Sequence, residues 1–374
     1  MSETTTRYRN KVTHTLYTKL LKPIFFMQDP EKVHDRMKGI GSFLGKTKTG
    51  TAFTQKMFGY EHPMLKQEVL GLTFENPIGL SAGFDKNAEL TDILPSVGFG
   101  FAEVGSITGK PCDGNPKPRL WRLKTSKGLV VYYGLKNDGC DAIAERLKEK
   151  HFKIPVGMNV AMTNNEENLE LERGIKDFAK AFRTMEPLAS YMTVNISCPN
   201  TAGGQPFTTP YRLDCLLSVL DKIPTEKPVF LKISPDLSRH ELDVLLEIAC
   251  QHRVHGIICT NLTKKRNNDK IMDDNIPHVG GISGKVVQDL ADDLLAYIYE
   301  TFGNRFVLIG CGGVSTAEDA YKKIRLGASL IEMITGMIFE GPQVISEINQ
   351  GLVHLLKRDG FTSISEAIGV DNNK

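Results

Sequence analysis

The chain of 374 residues is 41% hydrophobic and 24% charged, a composition that is typical of a globular protein and excludes a disordered or fibrous chain. Its length exceeds the roughly 150 residues of an average domain and leaves room for one large domain with an appendage. The net charge is +2, but residues 1–60 contribute +7 and the remaining residues −5. Basic charge confined to one end argues against nucleic-acid binding by the main domain and is typical of a segment that contacts an anionic membrane surface.

The seven cysteines are scattered and include no C-x-x-C pair, so the sequence predicts neither a disulfide framework nor a zinc site. This pattern favours a reducing compartment. No stretch approaches about eighteen consecutive apolar residues, and the sequence therefore predicts no segment that spans a bilayer.

Residues 12–45 form an amphipathic segment that differs from the rest of the chain. Apolar residues recur at helical spacing in its first half, and Pro23 is expected to kink or end this first helix. Asp29 and Pro30 are the residue types of an N-cap and a first helical position, which predicts a second helix. Two interpretations remain open: a helix pair that lies in the headgroup region of a membrane, or a pair that packs on the main domain.

Beyond this segment, short apolar runs alternate with helix-length periodic segments such as residues 166–185 and 286–302. Apolar strands that alternate with helices indicate a parallel sheet, and eight of them predict a (β/α)8 or TIM barrel. An open doubly wound sheet is the alternative, but the expected G-x-G-x-x-G after the first strand is missing. We therefore divide the chain into an N-terminal two-helix extension, 1–60, and a TIM barrel, 61–374. The eight predicted strands are Pro77–Gly83, Phe101–Ser106, Val156–Ala161, Tyr191–Ser197, Val229–Ser234, Gly256–Asn261, Phe306–Gly312 and Ser329–Thr335.

The C-terminal ends of the strands carry the chemistry of a TIM barrel. Uncharged amides and hydroxyls dominate these positions here, together with two lysines and one thiol. Such a pocket can form hydrogen bonds with the donors and acceptors at the edges of a planar heterocycle. They include no cluster of His and carboxylate side chains, so no metal-dependent mechanism is expected. The candidates are Lys86, Ser106, Asn159, Asn195, Cys198, Asn200, Lys232, Thr260, Asn261 and Thr335.

Glycine-rich loops follow the seventh and eighth predicted strands, at residues 310–313 and 335–336. Their backbone N–H groups predict a phosphate site. Ser315 and Glu318 have the spacing of a capping box, so a helix is expected to start beside the first loop. The phosphate could belong to a cofactor such as FMN or to a substrate, and Lys232 could alternatively form a Schiff base in a lyase.

Six blocks of the sequence form a recognisable set, namely Asn195-Ile-Ser-Cys-Pro-Asn-Thr201, Gly79-Leu-Ser-Ala-Gly-Phe-Asp-Lys86, Gly114-Asn-Pro-Lys-Pro-Arg119, Lys232-Ile-Ser-Pro-Asp236, Gly280-Gly-Ile-Ser-Gly284 and Ile309-Gly-Cys-Gly-Gly313. Together they resemble the dihydroorotate dehydrogenases. The resemblance runs from about residue 20 to about residue 350, and Asp29-Pro-Glu-x-x-His34 in the extension is similar to the membrane-associated, quinone-linked class of that family.

The resemblance implies an FMN-containing barrel that oxidises dihydroorotate to orotate in pyrimidine synthesis, with a quinone that reoxidises the flavin through a tunnel in the helical extension. It also implies a peripheral membrane protein, on the cytoplasmic face of a bacterial inner membrane or, in a eukaryote, on the mitochondrial inner membrane. The residues it implies in FMN binding are Ala82, Gly83, Ser106, Asn159, Asn195, Lys232, Thr260, Gly284, Gly313 and Thr335. Those it implies in substrate binding are Lys86, Asn195, Asn200 and Asn261, and those it implies in the quinone tunnel are His34 and Arg122.

Cys198 is the expected catalytic base. Oxidation of a dihydropyrimidine removes a hydride from one carbon and a proton from its neighbour, and the proton requires a positioned acceptor. The quinone-linked class usually has Ser at this position, whereas Cys is typical of the soluble class. Lys232 is expected to place positive charge near the flavin ring, and Lys86 to bridge flavin and substrate carboxylate.

Four further residues depart from the family pattern. Val131 replaces an Asn that contacts orotate, and Leu262 replaces a Thr, so each removes a polar contact; Gln205 replaces an Arg and Ile334 a Tyr. These departures support a second hypothesis, a flavin oxidoreductase of the same fold that acts on a less polar dihydropyrimidine or cyclic enone. A flavin-binding protein without enzymatic activity and a phosphate-dependent lyase are the remaining hypotheses.

Overall fold

The computed structural model of the protein describes residues 3–372 and has a closed barrel of eight parallel strands at its centre. Each barrel strand pairs with the next one along the chain, and the last pairs with the first. The strands are β1 (Gln67–Val69), β2 (Leu72–Phe74), β3 (Ile78–Leu80), β4 (Phe101–Ile107), β5 (Leu120–Leu123), β6 (Gly128–Val131), β7 (Val156–Val160), β8 (Tyr191–Asn195), β9 (Val229–Lys232), β10 (Gly256–Cys259), β11 (Gly281–Gly284), β12 (Val307–Cys311) and β13 (Ala328–Met333).

The predicted TIM barrel is confirmed, because each of the eight predicted strands contains or overlaps one barrel strand. The barrel strands are β3, β4, β7, β8, β9, β10, β12 and β13. The helices are α1 (Glu3–Leu16), α2 (Lys22–Phe26), α3 (Pro30–Gly45), α4 (Lys48–Phe58), α5 (Leu94–Val97), α6 (Cys140–Leu147), α7 (Leu171–Met185), α8 (Pro210–Leu220), α9 (Arg239–Gln251), α10 (Gln288–Phe302), α11 (Ala317–Arg325), α12 (Thr335–Glu340) and α13 (Val344–Arg358).

Two small antiparallel sheets lie outside the barrel. The β1–β2 hairpin closes the N-terminal end of the barrel. There Phe74 packs with Phe101, Tyr191 and Phe230, which lie at the starts of three barrel strands. The second sheet has the order β11–β6–β5 and lies at the opposite end, since residues of β6 and β11 line the cavity at the C-terminal ends of the barrel strands. One end of the barrel is therefore filled with aromatic rings, and the other is open.

The first helix of the extension was predicted to kink or end at Pro23. The first helix does not end there but runs from α1 through a π-helical turn, Tyr17–Leu21, into α2 and on to Phe26. Pro23 lies in the first turn of α2, directly after the π-helical turn, where a missing backbone N–H is tolerated. The second helix begins as predicted, because the Asp29 carboxylate caps α3 by accepting the Lys32 backbone N–H at 2.9 Å.

The extension packs on the barrel and also exposes apolar side chains. Asn10 of α1 is buried and donates to Ser346 Oγ of α13 at 3.1 Å. The opposite side of α1 and α2 exposes Leu16, Leu20 and Ile24. Within residues 3–372, no helix is both long enough and apolar enough to cross a membrane.

The capping box predicted beside the glycine loop is displaced by one residue. Thr316 and Asp319 form it, not Ser315 and Glu318, because Thr316 is the last residue with an extended backbone before α11. The Asp319 carboxylate also accepts the backbone N–H of Ser315, at 2.9 Å, and thereby fixes the loop that leads into the helix.

Candidate active site

A cavity of about 1270 Å³, its open mouth included, lies at the C-terminal ends of the barrel strands. The structure places every predicted site residue on its wall except Asn159 and Arg122. The predicted residues that line it are His34, Ala82, Gly83, Lys86, Ser106, Asn195, Cys198, Asn200, Lys232, Thr260, Asn261, Gly284, Gly313 and Thr335.

A network of amides holds the floor of the cavity. Asn195, the last residue of β8, donates from Nδ2 to Ser106 Oγ at 2.9 Å and to Asn159 Oδ1 at 3.3 Å. Asn261 donates from Nδ2 to Ser197 Oγ at 3.1 Å. Asn159 is fully buried behind Asn195, so it orients that side chain rather than lining the cavity. Ser197, which was not among the predicted site residues, links the two amides that face the cavity.

The glycine loops form the other end of the cavity, as the predicted phosphate site requires. Gly313 has a φ of +79°, and a Cβ at this position would lie 2.3 Å from Cβ of Gln288. Only glycine therefore fits, and the chain can turn so that backbone N–H groups face the cavity. Ser283 and Thr335 share a hydrogen bond of 2.8 Å beside the loop and provide two hydroxyl groups.

Cys198 lies on the loop after β8, between Asn195 and Asn200, and is half-buried. Burial raises the pKa of its thiol to about 11, although the backbone N–H of Asn200 and the charge of Lys264 favour the thiolate. The thiol is therefore protonated in the free protein at neutral pH. Gln205 lies on the same loop and donates to the Ser197 carbonyl at 3.2 Å, so it supports the loop without lining the cavity.

Lys86 lies at the mouth of the cavity after β3, and burial lowers the pKa of its ammonium to about 8, with the neighbouring charge of Lys38 acting in the same direction. The ammonium lies over the face of the Tyr133 ring. Tyr133 forms an apolar part of the wall together with Val131 and Leu262, two residues that were expected to differ from the family pattern.

A buried ionic cluster lies at the inner end of the cavity and was only partly predicted. Lys232 Nζ donates to Glu332 Oε2 at 2.8 Å, to Glu103 Oε1 at 3.1 Å and to Ser81 Oγ at 3.1 Å. Both carboxylates are completely buried, and Lys232 is 3% exposed. Each glutamate is the one charged residue of its strand, β4 or β13, and that contrast was the sequence signal that could have identified them.

A second cavity of about 1260 Å³, lined mainly by apolar side chains, lies between the helical extension and the barrel. Arg122 lines this cavity and donates from Nη1 to the Gln28 carbonyl at 2.8 Å. His34 packs edge-on against Phe84, with ring centroids 4.8 Å apart. Burial and the charges of nearby lysines lower the pKa of His34 to about 3, so its ring is neutral at physiological pH.

The two cavities share a wall. The residues that line both are His34, Phe84, Leu120, Leu129 and Ile338. A molecule in the apolar cavity and a molecule in the polar cavity would be separated by no more than these side chains.

The polar cavity fits FMN at both of its ends. Gly83 lines it with a φ of +108°, and a Cβ there would meet no atom within 4 Å, so the absence of a side chain leaves open space at the wall. The glycine loop at Gly313 and the hydroxyl groups of Ser283 and Thr335 suit a phosphate group, and the amides suit the edge of a heterocycle.

A TIM barrel whose polar cavity suits a phosphate group at one end and a heterocycle at the other is typical of FMN-dependent barrel oxidoreductases. The family model described as dihydroorotate dehydrogenase matches residues 64–356, and the chain belongs to that family. It is 37% identical over 355 residues to a dihydroorotate dehydrogenase (quinone) from Natronomonas pharaonis, covering 94% of this chain and 98% of the relative. A protein of the same name from a Roseiflexus species is 36% identical over 356 residues, covering 94% and 97%.

Solved structures agree with this assignment. The structure of DHODH from Eimeria tenella in complex with ferulenol superposes with a TM-score of 0.83 at 28% sequence identity, and the match covers 92% of this chain and 96% of that one. The ligand-free structure from the same organism gives a TM-score of 0.82 at 29% identity, with 92% and 99% covered.

Proposed function

We propose that this protein is an FMN-dependent enzyme that oxidises dihydroorotate to orotate and passes the electrons to a quinone. The observation that carries the proposal is the wall shared by the two cavities, one polar and built for a phosphorylated cofactor and its substrate, the other apolar. Relatives named dihydroorotate dehydrogenase (quinone) match over nearly their whole length, which favours this reaction over the oxidation of a less polar substrate.

When bound, FMN accepts a hydride from the substrate and makes two electrons available to a quinone. The chain's own residues hold both partners. Backbone N–H groups at Gly313, with Ser283 and Thr335, hold the phosphate, while Asn195 and Asn261 orient the heterocycles through hydrogen bonds. Ser106 and Asn159 fix Asn195 in turn.

Cys198 receives the proton that leaves the substrate carbon. Its thiol is neutral in the free protein, so it first loses its own proton to solvent, and the resulting thiolate accepts the proton from the substrate carbon. Asn200 stabilises that thiolate through its backbone N–H. Lys86 provides the cation for the substrate carboxylate, and its place at the cavity mouth sets which end of the substrate faces the flavin.

The helical extension, residues 1–60, provides quinone access, and the barrel, residues 61–374, holds FMN. His34 and Arg122 line the apolar cavity, which suits the isoprenoid-like character of a membrane quinone. Neutral His34 and the ring of Phe84 form part of the shared wall, so they add no charge to the path between the cavities.

Exposed apolar side chains on the extension suit peripheral attachment to a membrane. Leu16, Leu20 and Ile24 lie exposed beside Lys19 and Lys22, a combination that inserts apolar groups below anionic headgroups. Flotation with anionic lipid vesicles tests this: Leu20→Asp should reduce the bound fraction several-fold, whereas Met272→Asp, at an exposed residue of the barrel, should leave it unchanged. Equal binding by both variants would contradict the attachment site.

An anaerobic absorption spectrum before and after addition of dihydroorotate tests the proposed function. The purified protein should be yellow, and stoichiometric dihydroorotate should bleach the flavin absorbance. A protein that takes up no FMN would refute the cofactor assignment. A yellow protein that dihydroorotate leaves oxidised would refute the substrate and support an enzyme for a less polar ring.

A further inference from the structure

The two carboxylates of the buried cluster differ in how completely they are hydrogen-bonded. Glu103 accepts Asn159 Nδ2 at 2.9 Å and Lys232 Nζ at 3.1 Å on one oxygen, and Thr193 Oγ1 at 2.6 Å on the other. Glu332 uses only Oε2, which accepts Lys232 Nζ and, at 2.9 Å, Ser81 Oγ. Its Oε1 is buried and has no hydrogen-bond partner among the residues that the structure describes.

This difference decides where a proton would reside. With every group ionised, the cluster has two negative charges and one positive charge in a site that is almost completely buried, and a net buried charge is costly. Protonation of Glu332 at Oε1 would neutralise the cluster without breaking any of its hydrogen bonds, whereas Glu103 has no free oxygen. Burial and the nearby charge of Glu103 raise the pKa of Glu332 to about 7, in agreement with this geometry.

Lys232 is the link between the cluster and the cavity. Each of its three ammonium protons is directed to an oxygen of the chain, namely those of Ser81, Glu103 and Glu332. An ammonium bound in this way presents less positive charge to a neighbouring ring than a free one does. Lys232 and Glu332 both line the polar cavity, so the charge state of Glu332 acts on whatever is bound there.

We propose that Glu332 is a positioning residue that acts through Lys232 and sets the reduction potential of the bound flavin by gaining or losing one proton. This inference rests on the proposed function, in which the cavity holds FMN. Transfer of a hydride into the cavity adds one negative charge; uptake of one proton from solvent at Glu332 Oε1 balances it. The substrate's own proton leaves separately through Cys198, so the electrons and protons of the reaction are accounted for.

Within the part of the chain that the structure describes, the other ionisable groups that face Glu332 come from four other strands of the barrel. They are Glu103 of β4, Tyr191 of β8, Lys232 of β9 and Cys311 of β12. Burial raises the pKa values of the Tyr191 hydroxyl and the Cys311 thiol, so both stay neutral near pH 7. Lys232 stays protonated, because the two carboxylates raise its pKa. Glu332 is therefore the group of this cluster whose charge changes near neutral pH.

The experiment measures the midpoint potential of bound FMN against pH for the wild-type protein and for Glu332→Gln, an isosteric change that keeps both hydrogen bonds of Oε2 and removes the charge. Above pH 7 the variant should have the higher potential, with an oxidised-to-reduced equilibrium shifted on the order of tenfold. Below pH 7 the two should converge, since wild-type Glu332 is then neutral. Glu172→Gln, which removes an exposed carboxylate on α7, should follow the wild type.

Parallel potentials for wild type and Glu332→Gln across this pH range would overturn the inference while leaving the proposed function intact. A protein that takes up no FMN would overturn both. A measurement on the unmodified protein covers the case in which the variant does not fold. The infrared difference spectrum between reduced and oxidised protein should show the carbonyl stretch of a protonated carboxyl on reduction above pH 7, and its absence would also overturn the inference.

Discussion

The ammonium of Lys86 lies 4.0 Å above the centroid of the Tyr133 ring, at the mouth of the polar cavity. The ring shields the cation from water on one side and attracts it through its π electrons, a contact worth about 1 kcal/mol. Tyr133 belongs to the segment in which the family resemblance implies an Asn where this chain has Val131. The cation that we propose for the substrate carboxylate is thus held by an aromatic face at an apolar part of the wall.

Orotate binding should weaken as the pH rises through about 8. Lys86 is charged below its pKa of about 8 and neutral above it, so the attraction for the substrate carboxylate is present at lower pH and lost at higher pH. Titration of the flavin absorbance with orotate at a series of pH values measures this. Lys86→Met should weaken binding at neutral pH and flatten the profile, whereas Lys148→Met, at an exposed lysine, should reproduce the wild-type curve.

Replacement of Cys198 by Ala should lower the rate of flavin reduction by dihydroorotate by at least about a hundredfold while leaving FMN bound, because the proton acceptor is lost. In the wild type that rate should rise with pH over the neutral and alkaline range, since the pKa of Cys198 is about 11 and the thiolate fraction increases. Stopped-flow absorbance measures both effects. Cys215→Ala, on the outer helix α8, should react like the wild type; an equally fast Cys198→Ala would refute the base assignment.

Filling the apolar cavity should uncouple quinone turnover from substrate oxidation. Met37 lines this cavity from α3, and Met37→Trp places a larger side chain in it. We expect at least a tenfold loss of quinone reduction, with the rate to a soluble dye unchanged, because the dye can react at the polar cavity. Steady-state assays with both acceptors measure the ratio.

The matched control for this variant is on the same helix. Phe43 is 69% exposed and lies outside the cavity, so Phe43→Trp should keep both activities. Equal quinone rates for Met37→Trp and the wild type would place the quinone elsewhere.

The barrel was predictable from the sequence because its signal is local and repeated. A strand buried on both faces must be apolar throughout, and eight such runs leave few alternative folds. The ten candidates at the ends of these runs were predictable as a group for the same reason, and all except Asn159 line one cavity. Asn159 lies behind Asn195 in the structure, and the alternation of a strand does not show which inward residue reaches the cavity.

The charge cluster and the shared wall could not be predicted in this way. Glu103 and Glu332 are 229 residues apart in the sequence and meet only because the barrel closes between β13 and β3. Of the two outcomes predicted at Pro23, a kink or an end of the helix, the end does not occur, because a π-helical turn ahead of Pro23 accommodates the proline. Such irregular turns depend on packing against the barrel, where Tyr17 donates to the Ile338 carbonyl at 2.7 Å.

The helical extension should lose stability when Glu31 is replaced. Its carboxylate accepts Arg119 Nη2 at 2.8 Å and Nε at 3.2 Å, and both side chains are about 5% exposed, so the pair is buried between α3 and the barrel. Glu31→Ala leaves the Arg119 guanidinium without its counter-ion and should cost about 3 kcal/mol of unfolding free energy. Urea unfolding measures this, and Glu172→Ala, which breaks an exposed helix pair, should cost less than about 0.5 kcal/mol.

The same ion pair predicts how stability depends on pH. Burial raises the pKa of Glu31, but the hydrogen bonds and the charge of Arg119 lower it by a larger amount. The net pKa of Glu31 therefore lies below its usual value. A depressed carboxyl pKa contributes stability above the unfolded value and loses it as the pH falls through the folded value. The stability gap between wild type and Glu31→Ala should therefore be constant near neutral pH and close below about pH 4. A gap that persists unchanged in acid would show that packing, and not the ion pair, holds the extension on the barrel.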